Sequence, residues 1–272
     1  MRLPRFAPVL LAALLLAPAA ACDKSKEPTP EEIEAKLKAD LEEAAARVRN
    51  NKTKDAEKIY LRILETHADQ PDAVGGLGKV RLEEKKYAEA EKLLAQASNA
   101  KSDNASLWAA LGQARQLQDN PKGAAEAFAM AFKIEPDNSS YGLSYGRMLR
   151  DAEDFAKAEE ILRKVAELDP KAPYVNTDLG DALRGQDKLD DALKHYMKGQ
   201  NANRSDKRAH AGAAFVYEKK GDNKHALDEW SSYIRMDCCS DFSKTVAQKK
   251  IESLKVDHGG DAGEGEGAGA AE

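Results

Sequence analysis

Small and apolar residues recur along this chain at a fixed interval of thirty-four positions. One series keeps the same phase in five successive segments and consists of Gly78, Gly112, Gly146, Gly180 and Ala214. A second series runs in step with it and consists of Ala56, Ala90, Ala124, Ala158, Ala192 and Ala226. This period predicts a helix-turn-helix solenoid, in which each unit buries its apolar face by stacking on its neighbours. Such an architecture favours a function in binding rather than in catalysis.

Larger apolar residues and prolines occupy fixed places around the small ones. The third unit contains, in order, Trp108, Leu111, Gly112, Ala124, Phe128, Ala131 and Pro136. This order resembles the tetratricopeptide repeat, and the fourth and fifth units carry the same residue types at equivalent places. Pro136 and Pro170 are predicted to end second helices, because proline lacks the amide donor and disfavours helical geometry in the residue before it. The sixth, second and first units match less completely.

The repeat count predicts the domain organisation. We expect an all-α fold, which the resemblance makes a right-handed superhelical solenoid of six repeats: 37–70, 71–104, 105–138, 139–172, 173–206 and 207–240. Residues 22–36 would form a tether and the start of the first helix. The amphipathic segment 241–254 predicts a thirteenth helix that covers the end of the solenoid. Residues 255–272 are rich in Gly, Ala, Asp and Glu and are predicted to be a disordered acidic tail.

The first 21 residues have the organisation of an export signal. Two arginines precede an apolar run, Phe6 to Leu16, and small residues follow it. The run is too short to span a bilayer as a permanent helix. We therefore predict a signal peptide over residues 1–21.

The residue after that segment resembles the lipidation site of bacterial lipoproteins. Cys22 directly follows three alanines, as in a lipobox, although Ala19 stands where that family prefers Leu. We predict that the Cys22 thiol is lipidated and becomes the mature N-terminus. The alternative is ordinary cleavage after Ala21, which would release a soluble protein. The short polar stretch from Asp23 to Pro30 suits a tether between a lipid anchor and a folded domain.

The anchor predicts a location in the bacterial cell envelope. We expect a lipoprotein that faces the periplasm from the outer membrane. The inner membrane is the alternative, because in enteric bacteria an aspartate at the position of Asp23 tends to retain a lipoprotein there.

Charge and scattered histidines argue against other classes of function. Removal of the signal leaves 40 basic and 47 acidic residues, hence a formal charge of −7, which disfavours nucleic acid as a partner. The histidines have no metal-ligand spacing and are His67, His195, His210, His225 and His258. No phosphate loop or nucleophile motif is present in the sequence. We expect no cofactor, metal, small-molecule substrate or enzymatic activity.

Two cysteines, Cys238 and Cys239, remain after the lipidation site. We interpret them as small apolar residues at the end of the last repeat. In an oxidising compartment, a strained disulfide between neighbours or an intermolecular disulfide is the alternative.

The resemblance implies that the first helix of each repeat lines a concave groove that binds protein or peptide segments. This rule selects Gln113, Gln116, Leu143, Arg147, Arg150, Tyr174, Thr177, Asp181, Arg184, Arg208, Phe215 and Glu218. The C-terminal half of this set is rich in arginine and would suit a peptide that bears carboxylates. An ordinary solvated face is the alternative. The Lys and Asn clamp of chaperone-binding relatives is absent, because Leu41 and Ala45 stand at the matching places.

Repeat number and anchoring together resemble the type IV pilus pilotins, lipoproteins that assist assembly of an outer-membrane secretin. This likeness predicts a membrane-tethered scaffold that binds envelope proteins and promotes assembly of an envelope complex. A regulator of a peptidoglycan enzyme, or an adaptor in motility or outer-membrane biogenesis, is the alternative.

Overall fold

The computed structural model describes residues 28–259 and contains thirteen α-helices there. Their bounds are α1 Pro30–Arg49, α2 Thr53–Thr66, α3 Pro71–Glu83, α4 Tyr87–Ala100, α5 Ala105–Gln116, α6 Pro121–Ile134, α7 Ser139–Asp151, α8 Phe155–Leu168, α9 Val175–Gly185, α10 Leu189–Ala202, α11 Lys207–Lys219, α12 Asn223–Met236 and α13 Gln248–Gly259. Residues before Asp40 form a separate unit from the rest of the chain. In the described part of that unit, Thr29 and Glu32 cap the start of α1 with reciprocal hydrogen bonds.

The unit from Asp40 onward is a helical solenoid of about six repeats with a further C-terminal helix, which confirms the predicted fold class. The end of the chain differs in detail from the expectation. A π-helical turn, Ser243–Ala247, leads into α13, and α13 continues to Gly259, into the segment predicted as tail. The predicted signal peptide, Cys22 and residues 260–272 lie outside the described residues.

The small residues of the repeat occupy close crossings between the two helices of a unit. A Cβ atom at Gly112 would lie 2.9 Å from the ring of Phe128, and one at Gly146 would lie 2.7 Å from Leu162. Because real Cβ contacts are almost never this short, a larger residue would force the helices apart.

Glycine at a second position of the repeat allows neighbouring repeats to pack closely. A Cβ at Gly76 would lie 2.2 Å from the ring of Tyr60, which belongs to the preceding repeat. Gly212 has the same relation to Tyr196, at 2.3 Å. Each tyrosine ring therefore crosses the repeat boundary and occupies space that the Cβ atom of any residue other than glycine would fill.

The turn inside each repeat has one backbone conformation throughout the described chain. A residue with positive φ follows each first helix, again every thirty-four positions: Asn51, Lys85, Asp119, Glu153, Asp187 and Gly221. The amide after it donates to a carbonyl five residues earlier, as from Lys86 to Arg81 at 2.9 Å. This is the Schellman arrangement, which satisfies carbonyls at a helix C-terminus.

Polar caps and prolines separate the repeats. Asn104, Asn138 and Asp206 accept hydrogen bonds from amides in the first turns of α5, α7 and α11. α6 ends at Ile134 and α8 at Leu168, in each case two residues before a proline, as the sequence predicts.

The boundary between the fourth and fifth repeats departs from this regular pattern. α9 begins at Val175, whereas the residue equivalent to the start of α7 is Pro173. Tyr174 precedes the helix with φ of 63° and a side chain that is 46% exposed. A bulky residue in the left-handed region is strained. This irregular segment lies directly before the residues that form the candidate site.

Candidate partner-binding face

Three first helices bring charged side chains together in repeats four to six. α7 contributes Arg147 and Arg150, α9 contributes Asp178, Asp181 and Arg184, and α11 contributes Arg208. We call these six residues the ionic cluster. Five of them belong to the set that the sequence predicts for the groove, and Asp178 is the member that sequence reasoning missed.

Asp178 is the centre of the cluster and its side chain is 0% exposed. It accepts hydrogen bonds from Arg147 Nε at 2.7 Å, Arg150 Nη1 at 2.5 Å and Arg208 Nη2 at 2.7 Å. A buried carboxylate is costly unless charged donors surround it. The three guanidiniums supply that compensation and join the fourth, fifth and sixth repeats.

A second carboxylate, Asp181, lies beside the first and is partly exposed. It accepts from Arg208 Nη2 at 2.7 Å and from the Tyr196 hydroxyl at 2.7 Å. Burial, together with this carboxylate, raises the pKa of Tyr196. Burial opposes the charged form of Arg208, but the carboxylates of Asp178 and Asp181 outweigh it and raise the pKa of that guanidinium. Both groups therefore keep their protons at neutral pH.

Arg184 is the exposed member of the cluster. Its Nε donates to the Tyr196 hydroxyl at 3.2 Å, and its guanidinium lies over the Phe215 ring, 5.5 Å from the centroid. This distance permits a cation–π interaction. Arg184, Arg150 and Arg208 line a depression of about 380 Å³ together with Phe155, Asp181 and Gly185.

Other residues predicted for the groove have structural roles. Leu143 is buried in the core of repeats three to five. The Thr177 side chain is also fully buried, and its hydroxyl donates to Asp206, the residue that caps α11. Glu218 accepts from Trp230 Nε1 and Lys250 Nζ, both at 2.5 Å, and so ties the last repeat to α13. We therefore leave Leu143 and Thr177 out of the accessible surface.

The remaining predicted residues, Gln113, Gln116 and Tyr174, are exposed. The carbonyl of Pro173, beside Tyr174, accepts from Arg147 Nη2 at 2.9 Å, so the irregular segment is held by the ionic cluster.

A different pocket occupies the same helical face in repeats one to three. Its volume is about 400 Å³, and its lining is mainly apolar: Leu41, Ala45, Val48, Tyr60, Gly76 and Leu107, with Glu42, Arg49, Asp72, Lys79 and Asn104. Lys79 Nζ donates to Ser106 Oγ at 2.8 Å, and burial lowers the pKa of Lys79. We call this the apolar pocket.

The two cysteines that follow the predicted lipidation site lie in the described part of the chain. Cys238 and Cys239 are exposed free thiols whose Sγ atoms are 2.6 Å apart. Within those residues no cluster of His, Cys, Asp and Glu could hold a metal ion. In the same part of the chain, no helix combines the length and apolar character that a membrane crossing requires.

The repeats of this chain match models of a known repeat family. One tetratricopeptide-repeat model matches residues 47–115 and 149–215, and a second matches 109–173. The chain is a tetratricopeptide-repeat protein. Tetratricopeptide-repeat (TPR) folds are scaffolds for protein–protein interaction and are generally non-enzymatic.

Solved TPR structures share this fold. PilF of Pseudomonas aeruginosa has 17% identity and a TM-score of 0.60, over 82% of this chain and 98% of its own. YrrB, a TPR protein with an unusual peptide-binding site, has 20% identity and a TM-score of 0.59, over 62% and 88%. MamA of Desulfovibrio magneticus has 17% identity and a TM-score of 0.57, over 63% and 97%. No curated protein sequence matches the chain significantly.

Proposed function

We propose that this TPR protein is a membrane-tethered scaffold that binds envelope proteins through the face of its first helices and promotes assembly of an envelope complex. Secretin assembly in type IV pilus biogenesis is the specific process that we propose. The chain needs no catalytic group for this function, because a scaffold acts by holding partners close together.

The observation that carries the proposal is the pair of recessed sites on the first helices. The apolar pocket and the depression beside Arg184 lie on one helical face, and each opens to solvent. The similarity to YrrB supports a peptide as the form of the bound partner segment. The similarity to PilF, over nearly the whole of that chain, supports the same repeat number and extent.

The tether is a separate part of the proposal and rests on the sequence. Lipidation at Cys22 would hold the scaffold at the outer-membrane surface, with each buried methylene contributing about 0.8 kcal/mol. Helix α1 begins at Pro30, so only a short segment separates the predicted anchor from helical structure.

Affinity capture from crosslinked envelopes tests the proposal. The chain and its Cys22→Ser variant are purified in parallel, which separates anchoring from recognition. We expect secretin or pilus subunits with the wild-type chain, and reduced membrane recovery of the variant. Recovery of peptidoglycan enzymes instead would favour the regulatory alternative. If neither form retains a partner above an untagged control, the scaffold function itself is wrong.

A further inference from the structure

The ionic cluster has a buried acidic part and an exposed basic part. Asp178 is 0% exposed and Asp181 is 18% exposed, whereas Arg208 is 41% exposed. Arg150 also pairs with Asp151 at 2.8 Å. The four guanidiniums of the cluster therefore face three carboxylates, which leaves one excess positive charge. Asp178 and Asp181 are recessed and Asp151 lies outside the lining of the depression, so the groups that a ligand meets there are mainly guanidiniums.

Two of these guanidiniums retain donors for a ligand. Arg184 uses only Nε in its hydrogen bond to Tyr196, and Arg208 uses only Nη2 toward the two aspartates. The other guanidinium N–H groups of Arg184 and Arg208 donate to none of the residues that the structure describes. Asp178, Asp181, Tyr196 and Phe215 restrain both side chains, so little conformational entropy is lost when they bind a planar carboxylate.

We propose that this depression binds a carboxylate-rich segment of a partner protein. This inference rests on the proposed function, and it specifies the chemistry of the partner segment that binds the C-terminal half of the face formed by the first helices. Arg184 and Arg208 come from the successive first helices α9 and α11 and both line the depression, so two carboxylates of one bound chain can each meet a guanidinium. Phe155, in the wall of the depression, provides an apolar contact for the intervening residues.

Fluorescence anisotropy with the full-length chain tests the inference. The probes are a labelled decapeptide of alternating Glu and Ala and its Gln counterpart. We expect the Glu peptide to bind more tightly, with an affinity that falls with added salt. Arg184→Gln should weaken binding by about tenfold, as expected for loss of a charge-assisted forked contact. Its urea midpoint should fall only slightly, because Arg184 is exposed and its contacts are one hydrogen bond of 3.2 Å to Tyr196 and one cation–π contact with Phe215.

Arg204→Gln is the matched control, since Arg204 is an exposed arginine of the same repeat that lies outside the cluster. It should change the affinity by less than about twofold. Equal losses in the two variants would overturn the inference, because they would mean attraction by overall charge. Equal binding of the Glu and Gln peptides would overturn it as well. If a partner is still captured from envelopes in that case, the scaffold function stands and only the carboxylate chemistry fails.

The chain itself supplies the competing occupant. Residues 260–272 contain four acidic side chains and no basic one: Asp261, Glu264, Glu266 and Glu272. A variant with these residues replaced by Asn or Gln should bind the Glu peptide as the wild-type chain does. A rise in affinity of about tenfold or more would assign the depression to the chain's own tail and overturn the assignment to a partner.

Discussion

The apolar pocket and the ionic cluster occupy the same helical face of one repeat scaffold, yet their chemistry is opposite. One position in the repeat shows how this arises. It holds Gly76 in the apolar pocket and Asp178 in the ionic cluster. Glycine at this position leaves room for the Tyr60 ring, whereas the aspartate forms ion pairs with three guanidiniums. The crossing positions inside each unit therefore maintain the fold, while the lining positions of the first helices vary and set the chemistry of the two recessed sites.

The largest effect is expected from removal of the central carboxylate. Asp178→Ala leaves Arg147, Arg150 and Arg208 without their shared partner, and should lower the free energy of unfolding by about 3–5 kcal/mol, as for other broken buried ion pairs. Urea denaturation followed by circular dichroism measures this. Asp151→Ala is the control and should cost less than about 1 kcal/mol, because that carboxylate is exposed. Equal stability of Asp178→Ala and the wild-type chain would show that the cluster does not hold the repeats together.

Substitution of the pocket glycine tests the other region. Gly76→Ala should cost about 1–3 kcal/mol, because the new methyl group overlaps the Tyr60 ring. Ser144→Ala, at the equivalent position of the fourth repeat, should change stability by less than about 0.5 kcal/mol. The same urea titration compares them. If the two substitutions have the same effect, the contact across the repeat boundary is not what requires glycine.

We expect the stability of the fold to depend on pH through a carboxylate on the second helix α8. Burial alone would raise the pKa of Glu159, but hydrogen bonds from Lys188, Arg163 and Gln186 lower it to about 2, from 4.5. Because the folded-state pKa is depressed, its contribution is complete above pH 4.5 and is lost as the pH falls toward 2. Glu159→Gln should therefore be less stable by about 1–2 kcal/mol at pH 7. The difference should shrink steadily below pH 4.5.

Thermal unfolding at several pH values measures that change. A difference that stays constant from pH 7 to pH 3 would mean that the ionised Glu159 carboxylate does not stabilise the junction of repeats four and five.

The smallest effect concerns the turn that both regions share. Lys85 and Gly221 occupy equivalent turns with φ of 61° and 75°. Lys85→Gly should raise stability by up to about 1 kcal/mol, because glycine adopts positive φ without steric cost, and Gly221→Ala should lower it by a similar amount. Differential scanning calorimetry resolves both shifts. A change in the same direction for both variants would contradict a common turn conformation.

The repeat framework could be predicted from the sequence because its determinants are local and periodic. Small residues at a thirty-four-residue interval indicated the crossings, and Pro136 and Pro170 indicated the ends of helices. The tyrosine–glycine pairs could also have been predicted, because Tyr60 and Tyr196 each precede a glycine by sixteen residues. Where the tyrosine is replaced by Phe128, the residue sixteen positions later is Ser144 and not glycine.

The chemistry of the site was harder to predict because it depends on contacts between helices. The family rule selected the arginines by their position, but their pairing with Asp178 depends on the packing of α7, α9 and α11. One signal was available, because in repeats two to six Asp178 is the one acidic residue at a position that otherwise holds Gly76, Ala110, Ser144 and Gly212, while the first repeat has Glu42 there. Thr177 was assigned to the surface because the rule does not include the shortened start of α9 or the close approach of Gly199.

Photo-crosslinking in living cells tests whether partners bind to the face of the first helices. A photoreactive benzoylphenylalanine replaces Gln116, which is exposed on a first helix, or Lys164, which is exposed on second helix α8. We expect a discrete crosslinked partner from position 116 and none from position 164. A partner that crosslinks from position 164 and not from position 116 would show that the binding surface lies on the second helices instead.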